Sequence, residues 1–279
     1  MKANMSHPLN KDLYFWFPIT EGGGQRLVDI AVRDWAGANQ NWTSVTSGVP
    51  VWYDNGDLHF TRAKGDYIDL ALLPKAEGDT EFSGIARATS IWFKTESTAT
   101  TNNFAYGFGN TSPSGGKAWR LSIENGDPYV RVYSGAASWN MSLNDNLWHH
   151  SLIQVPQGGT VDDIELFIDG VSQGAGAGSN TQSIDTGSAA HYLGTSIQGG
   201  DQNDNFDGEL KDYRCWRRQL EPSEVMEVYL DGLRILKQGL VGSEYLKGNM
   251  NTPQLVASAM SIAETATQRI TGLRRRARR

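Results

Sequence analysis

The chain has 279 residues, a formal net charge of −6 and a hydrophobic share of 39%. It is long enough to bury a core and too apolar for a disordered protein. The 31 glycines have no fixed period, which excludes collagen and indicates many tight turns. The sequence contains no run of about 18 apolar residues, so we expect no membrane-spanning helix. Its one cysteine, Cys215, excludes an internal disulfide framework and a zinc site built on several cysteines.

Charge is unevenly distributed. Residues 239–279 carry seven Lys/Arg and two Asp/Glu, a sum of +5, which leaves −11 for the first 238 residues. An acidic body does not attract nucleic acid over its surface, so a nucleic-acid contact is expected at most at the basic tail. The tail is interpreted either as a solvated segment or as a tether to an acidic surface, nucleic acid or protein.

From about residue 10 to 220 the sequence predicts short strands. Runs such as 57–61, 90–94, 119–123 and 129–133 alternate apolar and polar residues, as in sheets with one buried face. No strand–helix–strand rhythm is present, which argues against a parallel α/β fold. The strongest hairpin signals are Asn55-Gly56, Asn125-Gly126, Asp169-Gly170 and Asp207-Gly208. The pattern predicts an all-β, antiparallel β-sandwich.

Two helices are predicted after the strands. The first opens at Glu221-Pro222 and ends at Asp231-Gly232, and residues 233–251 are typical of a linker. The second, about 252–271, has a narrow apolar seam. We divide the chain into a sandwich with a short closing helix, 1–232, and an attachment segment, 233–279.

The second helix has too thin an apolar stripe to be stable alone, so it needs a partner. Its seam packs either on its own sandwich or on another subunit. In the second case the partner-binding residues are Leu255, Ile262, Ile270, Leu273, Arg274, Arg275 and Arg276.

Several segments carry a resemblance to a known family. The most specific are Asn146-Leu-Trp-His-His-Ser-Leu, then Ile164-Glu-Leu-Phe-Ile-Asp-Gly-Val, and Phe206-Asp-Gly-Glu-Leu-Lys-Asp-Tyr-Arg near the end. With the opening Leu13-Tyr-Phe-Trp-Phe-Pro, they resemble the LamG-like jelly rolls of the concanavalin A-like lectin/glucanase superfamily, of the stand-alone phage-borne type. The resemblance implies a jelly-roll sandwich. Because that fold hosts lectins, hydrolases, adhesion modules and virion proteins, function must be argued from the site.

Catalytic residues are not evident. Glucanases of the superfamily place carboxylates in a Glu-x-Asp-x-x-Glu run on one strand, and the nearest candidate here, Glu165 to Asp169, lacks two of them. His149 and His150 are adjacent, so on a strand they point to opposite faces and cannot bind one metal together. Cys215 on a predicted strand is interpreted as a small buried hydrophobe. We expect a protein that is not an enzyme.

A structural calcium ion is implied by the resemblance, since many LamG-like domains bind one through loop oxygens. The candidate ligands are Asp34, Asn39 and Asp212. The alternative is that Asp34 and Asn39 hold a turn through hydrogen bonds to the backbone.

Glycan binding requires aromatic rings on which a sugar can stack. Trp16, Trp92, Trp148 and Trp216 match strand positions and are assigned to the core. The glycan-binding candidates, in or beside loops, are Trp35, Trp42, Trp119 and Trp139, of which Trp42 and Trp139 are expected to be the most exposed. The alternative is that these four cap the ends of the sandwich.

Two functions follow. The first is a non-enzymatic structural or decorating protein of an assembled particle, a tailed-phage virion, attached to a capsid or tail protein through the C-terminal segment. The N-terminus lacks the apolar stretch of a secretory signal, which fits synthesis in the cytoplasm and location in the virion. The second is a carbohydrate-binding lectin or adhesin that recognises cell-surface glycans.

Overall fold

The computed structural model describes residues 7–23, 26–31, 39–41, 50–53, 57–70, 82–109, 118–178, 181–186, 191–196 and 204–239. The chain separates into one compact unit up to residue 240 and a second from residue 241 to 279. The second unit, with the predicted second helix and the candidates from Leu255 to Arg276, lies outside the described residues. The attachment role of that segment stays a prediction.

The described residues form 18 strands and one α-helix. In chain order they are β1 (Leu13–Phe17), β2 (Arg26–Val28), β3 (Asn39–Asn41), β4 (Val51–Trp52), β5 (Leu58–Phe60), β6 (Ile68–Asp69), β7 (Phe82–Ser83), β8 (Arg87–Lys94), β9 (Phe104–Gly109), β10 (Ala118–Glu124), β11 (Asp127–Val132), β12 (Gly135–Ser138), β13 (His149–Val155), β14 (Glu165–Ile168), β15 (Val171–Ala175), β16 (Asp185–Thr186), β17 (His191–Leu193), β18 (Gly208–Trp216) and α1 (Pro222–Gly239).

Two antiparallel sheets make the sandwich. The larger has the order β15-β14-β13-β8-β18-β5-β4, with β1 also paired to β18, and the smaller has the order β12-β11-β10-β9-β17-β6. Their inner faces share one apolar core, to which β10 contributes Trp119, Leu121 and Ile123 at alternate positions. The predicted antiparallel β-sandwich is confirmed, and the alternating runs of the sequence are its strands.

Two of the predicted hairpins are confirmed. Asn125-Gly126 joins β10 to β11 and Asp169-Gly170 joins β14 to β15, with all four residues at positive φ, as a type I′ turn requires. The prediction for Asp207-Gly208 is wrong, because Gly208 begins β18, where a Cβ would overlap the carbonyl oxygen of Lys94. This glycine allows close approach of two strands. Asn55-Gly56 lies outside the described residues.

Helix α1 begins at Pro222 as predicted, but the predicted end at Asp231-Gly232 is wrong because the helix continues to Gly239. Gly232 is buried, and a Cβ there would overlap the indole Nε1 of Trp92 on the larger sheet. The glycine therefore serves close packing of the helix, although glycine in a helix interior costs about 1 kcal/mol relative to alanine. In the described part of the chain, no helix combines the length and the apolarity needed to span a membrane.

A buried ion network ties α1 to the outer face of the larger sheet. Residue Asp212 lies at a bulge of β18, with φ of 51°, and its Oδ1 accepts a hydrogen bond from Nε of Arg214 at 2.9 Å. The same carboxylate oxygen accepts from Trp16 Nε1 at 2.7 Å. Nη2 of Arg214 then reaches Asp231 on α1 at 2.9 Å, and its guanidinium lies 3.9 Å from the centre of the Trp16 ring. The network connects β1, β18 and α1.

We predict that Gly232→Ala destabilises the protein. The added methyl must displace the buried Trp92 ring, and overpacking of this kind costs about 1–3 kcal/mol, more than the gain in helix propensity. Urea unfolding measures the free energy of unfolding. The control is Arg234→Ala on the exposed side of α1, where the change should stay within about 0.5 kcal/mol. Equal stability of Gly232→Ala and the parent protein would contradict the packing described for α1.

The adjacent histidines of β13 point to opposite sides, as predicted. His150 is fully buried against Trp92 and Tyr229 under α1, and burial, with the nearby charge of Arg214, lowers its pKa to about 3. His149 hydrogen-bonds to Asp169 at 3.0 Å and to Asp145 at 3.1 Å, and the bond to Asp169 raises its pKa.

These opposite shifts predict opposite pH effects. His150 takes up a proton near pH 6.5 in the unfolded state but only near pH 3 in the folded state. Between these two values, it therefore lowers the free energy of unfolding by about 1.4 kcal/mol for each unit by which the pH falls. His150→Phe should therefore make the fall of the unfolding free energy below pH 6.5 shallower.

His149, whose pKa is raised, contributes stability below pH 6.5 that is lost at higher pH. His149→Gln should therefore lower the free energy of unfolding more at pH 5.5 than at pH 8. The free energy of unfolding is measured with denaturant at several pH values. If its dependence on pH is the same in the variants as in the parent protein, both assignments are contradicted.

Candidate functional site

The outward side of the smaller sheet carries tyrosines, arginines and acidic side chains. Directly paired residues form a row across five strands: Asp69, Tyr192, Gly107, Arg120 and Arg131. Alternation places this row on the side away from the core, because its neighbours along each strand face inward. We call this surface, together with Tyr129 and Tyr133 beside the row, the Arg120 face. Except for the glycine, these side chains are all partly exposed.

Gly107 leaves a gap in the row. It has no side chain, and it lies between Tyr192 on β17 and Arg120 on β10. With strands about 4.8 Å apart, the Cα atoms of these two flanking residues are roughly 10 Å apart. Gly107 is itself buried, so the gap is a break in the row of side chains, bordered by one aromatic and one cationic side chain.

One arginine of the face is neutralised by an acidic partner. Arg131 binds Glu124 through two hydrogen bonds, Nε to Oε1 at 3.0 Å and Nη2 to Oε2 at 2.6 Å. Glu124 also accepts from the Ser122 hydroxyl at 2.7 Å and from the Asn102 amide at 3.2 Å. Its carboxylate is therefore fully engaged, and the Arg131 guanidinium is held over the ring of Tyr129 at 4.9 Å. This part of the face is rigid before any ligand binds.

Arg120 has a different environment. Its guanidinium lies 5.2 Å from the centre of the Phe104 ring and 4.9 Å from that of Tyr133. Its Nε is buried and has no hydrogen-bond partner among the described residues. Burial lowers the pKa of Arg120, and the nearby Tyr133 and Asp204 oppose that shift. The side chain is thus held by aromatic rings.

The aromatic residues of the face form two groups. Tyr129 and Tyr133 lie on the β11 side beside the arginines, and Tyr192 lies on β17, where its ring meets Tyr67 edge to face at 5.9 Å. Partly exposed tyrosine rings next to charged hydrogen-bonding groups can stack on the apolar side of a sugar while its hydroxyls are bound. The Arg120 face combines both elements.

The tryptophans proposed from the sequence are not on this face. Trp119 is 0% exposed and donates from Nε1 to Thr89 Oγ1 at 3.0 Å, so its assignment to a glycan site is wrong. Trp139 is only 7% exposed and donates to the Gly174 carbonyl at 3.1 Å, so its predicted exposure is wrong too. Trp35 and Trp42 lie outside the described residues. The core assignment is confirmed for Trp92 and Trp216, whereas Trp16 and Trp148 are partly exposed.

Of the three candidate calcium ligands, only the Asp212 side chain lies in the described part of the chain. Asp212 is fully buried with its carboxylate bound to Arg214 and Trp16, so the guanidinium already neutralises it and its role as a calcium ligand is wrong. Asp34 and the side chain of Asn39 lie outside the described part of the chain. Within that described part, no three acidic, histidine or cysteine residues cluster as metal ligands would. A calcium ion elsewhere stays a prediction.

The carboxylate pair considered for glycosidase chemistry is engaged in local structure. Glu165 binds Gln154 at 3.2 Å and Ser172 at 2.7 Å. Asp169 lies in the hairpin turn and accepts from the His150 amide at 2.8 Å. Cys215 is fully buried in the core, as predicted.

Fold and sequence together place the chain in a family. A profile described as the concanavalin A-like lectin/glucanases superfamily matches residues 62–226, more than half of the chain. The chain belongs to this superfamily. No curated protein matches it in a sequence search.

The solved structures that resemble this chain include two toxin binding domains and one domain solved with an oligosaccharide. The binding domain of Paraclostridial Mosquitocidal Protein 1 shares 18% identity at a TM-score of 0.54, over 79% of this chain and 52% of the other. Domain 4 of the GH43 arabinanase AbnA from Geobacillus stearothermophilus, solved with arabinotriose, shares 18% identity at 0.54, over 78% and 98%. The receptor-binding domain of botulinum neurotoxin D shares 17% at 0.52, over 80% and 53%. The chain thus spans about half of each toxin domain.

Proposed function

We propose that this protein is a carbohydrate-binding module that holds a glycan on the Arg120 face. The observation that carries the proposal is the row of Tyr192, Gly107 and Arg120, in which a gap one residue wide lies between an aromatic ring and a cation. Sugar sites need both a ring for stacking and polar groups fixed in advance, and the bidentate pair of Arg131 and Glu124 supplies the second. The role is binding without catalysis.

Two further findings support the proposal. The outer face of the larger sheet packs against α1, so the Arg120 face is the broad sheet surface whose side chains stay partly exposed in the described part of the chain. The superfamily contains lectins, and the AbnA domain, which has nearly the same length as the matched region, was solved with a trisaccharide. The likeness to that domain extends to the fold, and the position of the site here is argued from this chain's own residues.

Attachment to an assembled particle, the finer function predicted from the sequence, remains a prediction. It depends on the apolar seam and arginine tail beyond residue 240, which lie outside the described residues. It is compatible with glycan binding, because a particle-bound sandwich can present its Arg120 face to a cell surface. Co-purification of the full chain with a capsid or tail subunit would support it.

The proposal predicts that Tyr192→Ala and Tyr133→Ala each weaken binding of an oligosaccharide about tenfold, because each removes a stacking ring from the site. The full chain is first screened on a glycan array, and affinities for the ligand it selects are then measured by calorimetry.

The matched control is Tyr53→Ala. Tyr53 is 42% exposed and lies next to β4 of the larger sheet, stacked on His59 at 4.7 Å. Its replacement should leave affinity unchanged. If the Tyr53 variant loses binding and the other two keep full affinity, the site lies on the larger sheet and the proposed position on the Arg120 face is wrong. Absence of any glycan ligand would overturn the proposed function itself.

A further inference from the structure

We propose that the ligand of the Arg120 face carries a carboxylate, as uronic and sialic acids do, and that the guanidinium of Arg120 binds it. This inference rests on the proposed function and names the substrate class of the same site. It follows from the partners of Arg120, compared with those of the other buried or half-buried arginines.

Other buried or half-buried arginines of the described residues form ion pairs or hydrogen bonds with the protein, although the Nε of Arg87, like that of Arg120, has no hydrogen-bond partner among them. Arg131 binds Glu124, Arg214 binds Asp212 and Asp231, and Arg218 binds Glu224 at 2.6 Å. Arg87, which is fully buried, donates to Thr186 Oγ1 and to the Phe82 carbonyl. In this part of the chain, Arg120 is held by ring faces and makes no ion pair or hydrogen bond. A half-buried guanidinium with aromatic contacts alone is an incomplete arrangement.

The acidic groups near Arg120 are bound to other residues. Glu124 is held by Arg131 and Ser122, and Asp204 accepts from the Ser196 hydroxyl at 2.8 Å. Arg120 also lies directly opposite Arg131 in the β10–β11 register, and like charges in facing positions destabilise a sheet. Asp69 at the far end of the row balances the charge of the face as a whole, but among the described residues no acid forms an ion pair with Arg120 to offset its positive charge. An anionic group supplied by a ligand would offset it.

A carboxylate fits this position better than a hydroxyl. A guanidinium binds a carboxylate through two parallel N–H groups, and such charge-assisted bonds are roughly twice as strong as neutral ones. Arg120 is partly exposed and borders Gly107 in the row, so a sugar ring bound over this row places a carboxylate substituent next to the guanidinium. The rings of Phe104 and Tyr133 fix the guanidinium plane before binding.

The test compares acidic and neutral sugars of matched length. The full chain is titrated with oligogalacturonate, oligoglucuronate and sialyllactose, and with the neutral oligogalactose, cello-oligosaccharide and lactose that correspond to them. We expect at least one acidic member to bind more than tenfold tighter than its neutral counterpart. Arg120→Gln should remove that preference, with a loss of roughly tenfold to a hundredfold, and Arg120→Lys should lose part of it because an ammonium lacks the two-pronged geometry.

The control variant is Arg234→Gln, which removes an exposed guanidinium from α1 against the other sheet and should leave affinities unchanged. Thermal unfolding of every variant checks the fold, and Arg120→Lys keeps the test valid if the glutamine variant does not fold.

If neutral members of this panel or of the glycan array bind and acidic ones do not, the inference is wrong and the proposed function stands. If no sugar in either set binds the parent protein, both are wrong. Equal affinity of the parent and Arg120→Gln for an acidic sugar also overturns the inference.

Discussion

The buried ion network between Arg214, Asp212 and Asp231 holds α1 on the larger sheet, so the smaller sheet is the one that keeps an exposed outer face. Each sheet of a β-sandwich has one face in the shared core, and its other face is either covered or exposed. On the larger sheet, the network and the glycine at position 232 bring α1 down onto Trp92 and its neighbours. The outer face of the smaller sheet keeps partly exposed side chains. In the described part of the chain, the Arg120 face is therefore the broad sheet surface on which strand register can hold partly exposed side chains for a site.

The register also explains why that face can be specific. Neighbouring strands hold Tyr192, Gly107 and Arg120 in one row, so the width of the gap is set by backbone hydrogen bonds. The Arg131–Glu124 pair fixes one side of the row before a ligand arrives. Pre-ordered groups lose little conformational freedom on binding, which favours affinity.

The architecture was predictable from sequence because alternation and turn chemistry are local signals. Asn125-Gly126 and the run from Trp119 to Ile123 specify a hairpin strand without reference to the rest of the chain. The end of α1 was not predictable in this way. Gly232 resembles a helix stop, and only the distant Trp92, which contacts it in the folded sheet, shows why the glycine is needed.

The proposed site was predicted less well from the sequence, for a related reason. Stacking rings are expected at tryptophans near loops, yet Trp119 shares the period of Leu121 and Ile123 and therefore lies in the core. The same alternation places Arg120 on the opposite side, a signal that was present in the sequence. What the sequence does not contain is the pairing of Arg120 with Gly107, because that depends on which strands become neighbours.

The most direct test of a glycan site on the Arg120 face is mapping of a bound oligosaccharide by NMR chemical-shift changes on the full, isotope-labelled chain. The account predicts that the changes concentrate on β9, β10, β11 and β17, with the largest at Gly107, Arg120 and Tyr192. Changes confined to the larger sheet around Tyr53 and His59, with these three signals unmoved, would contradict it.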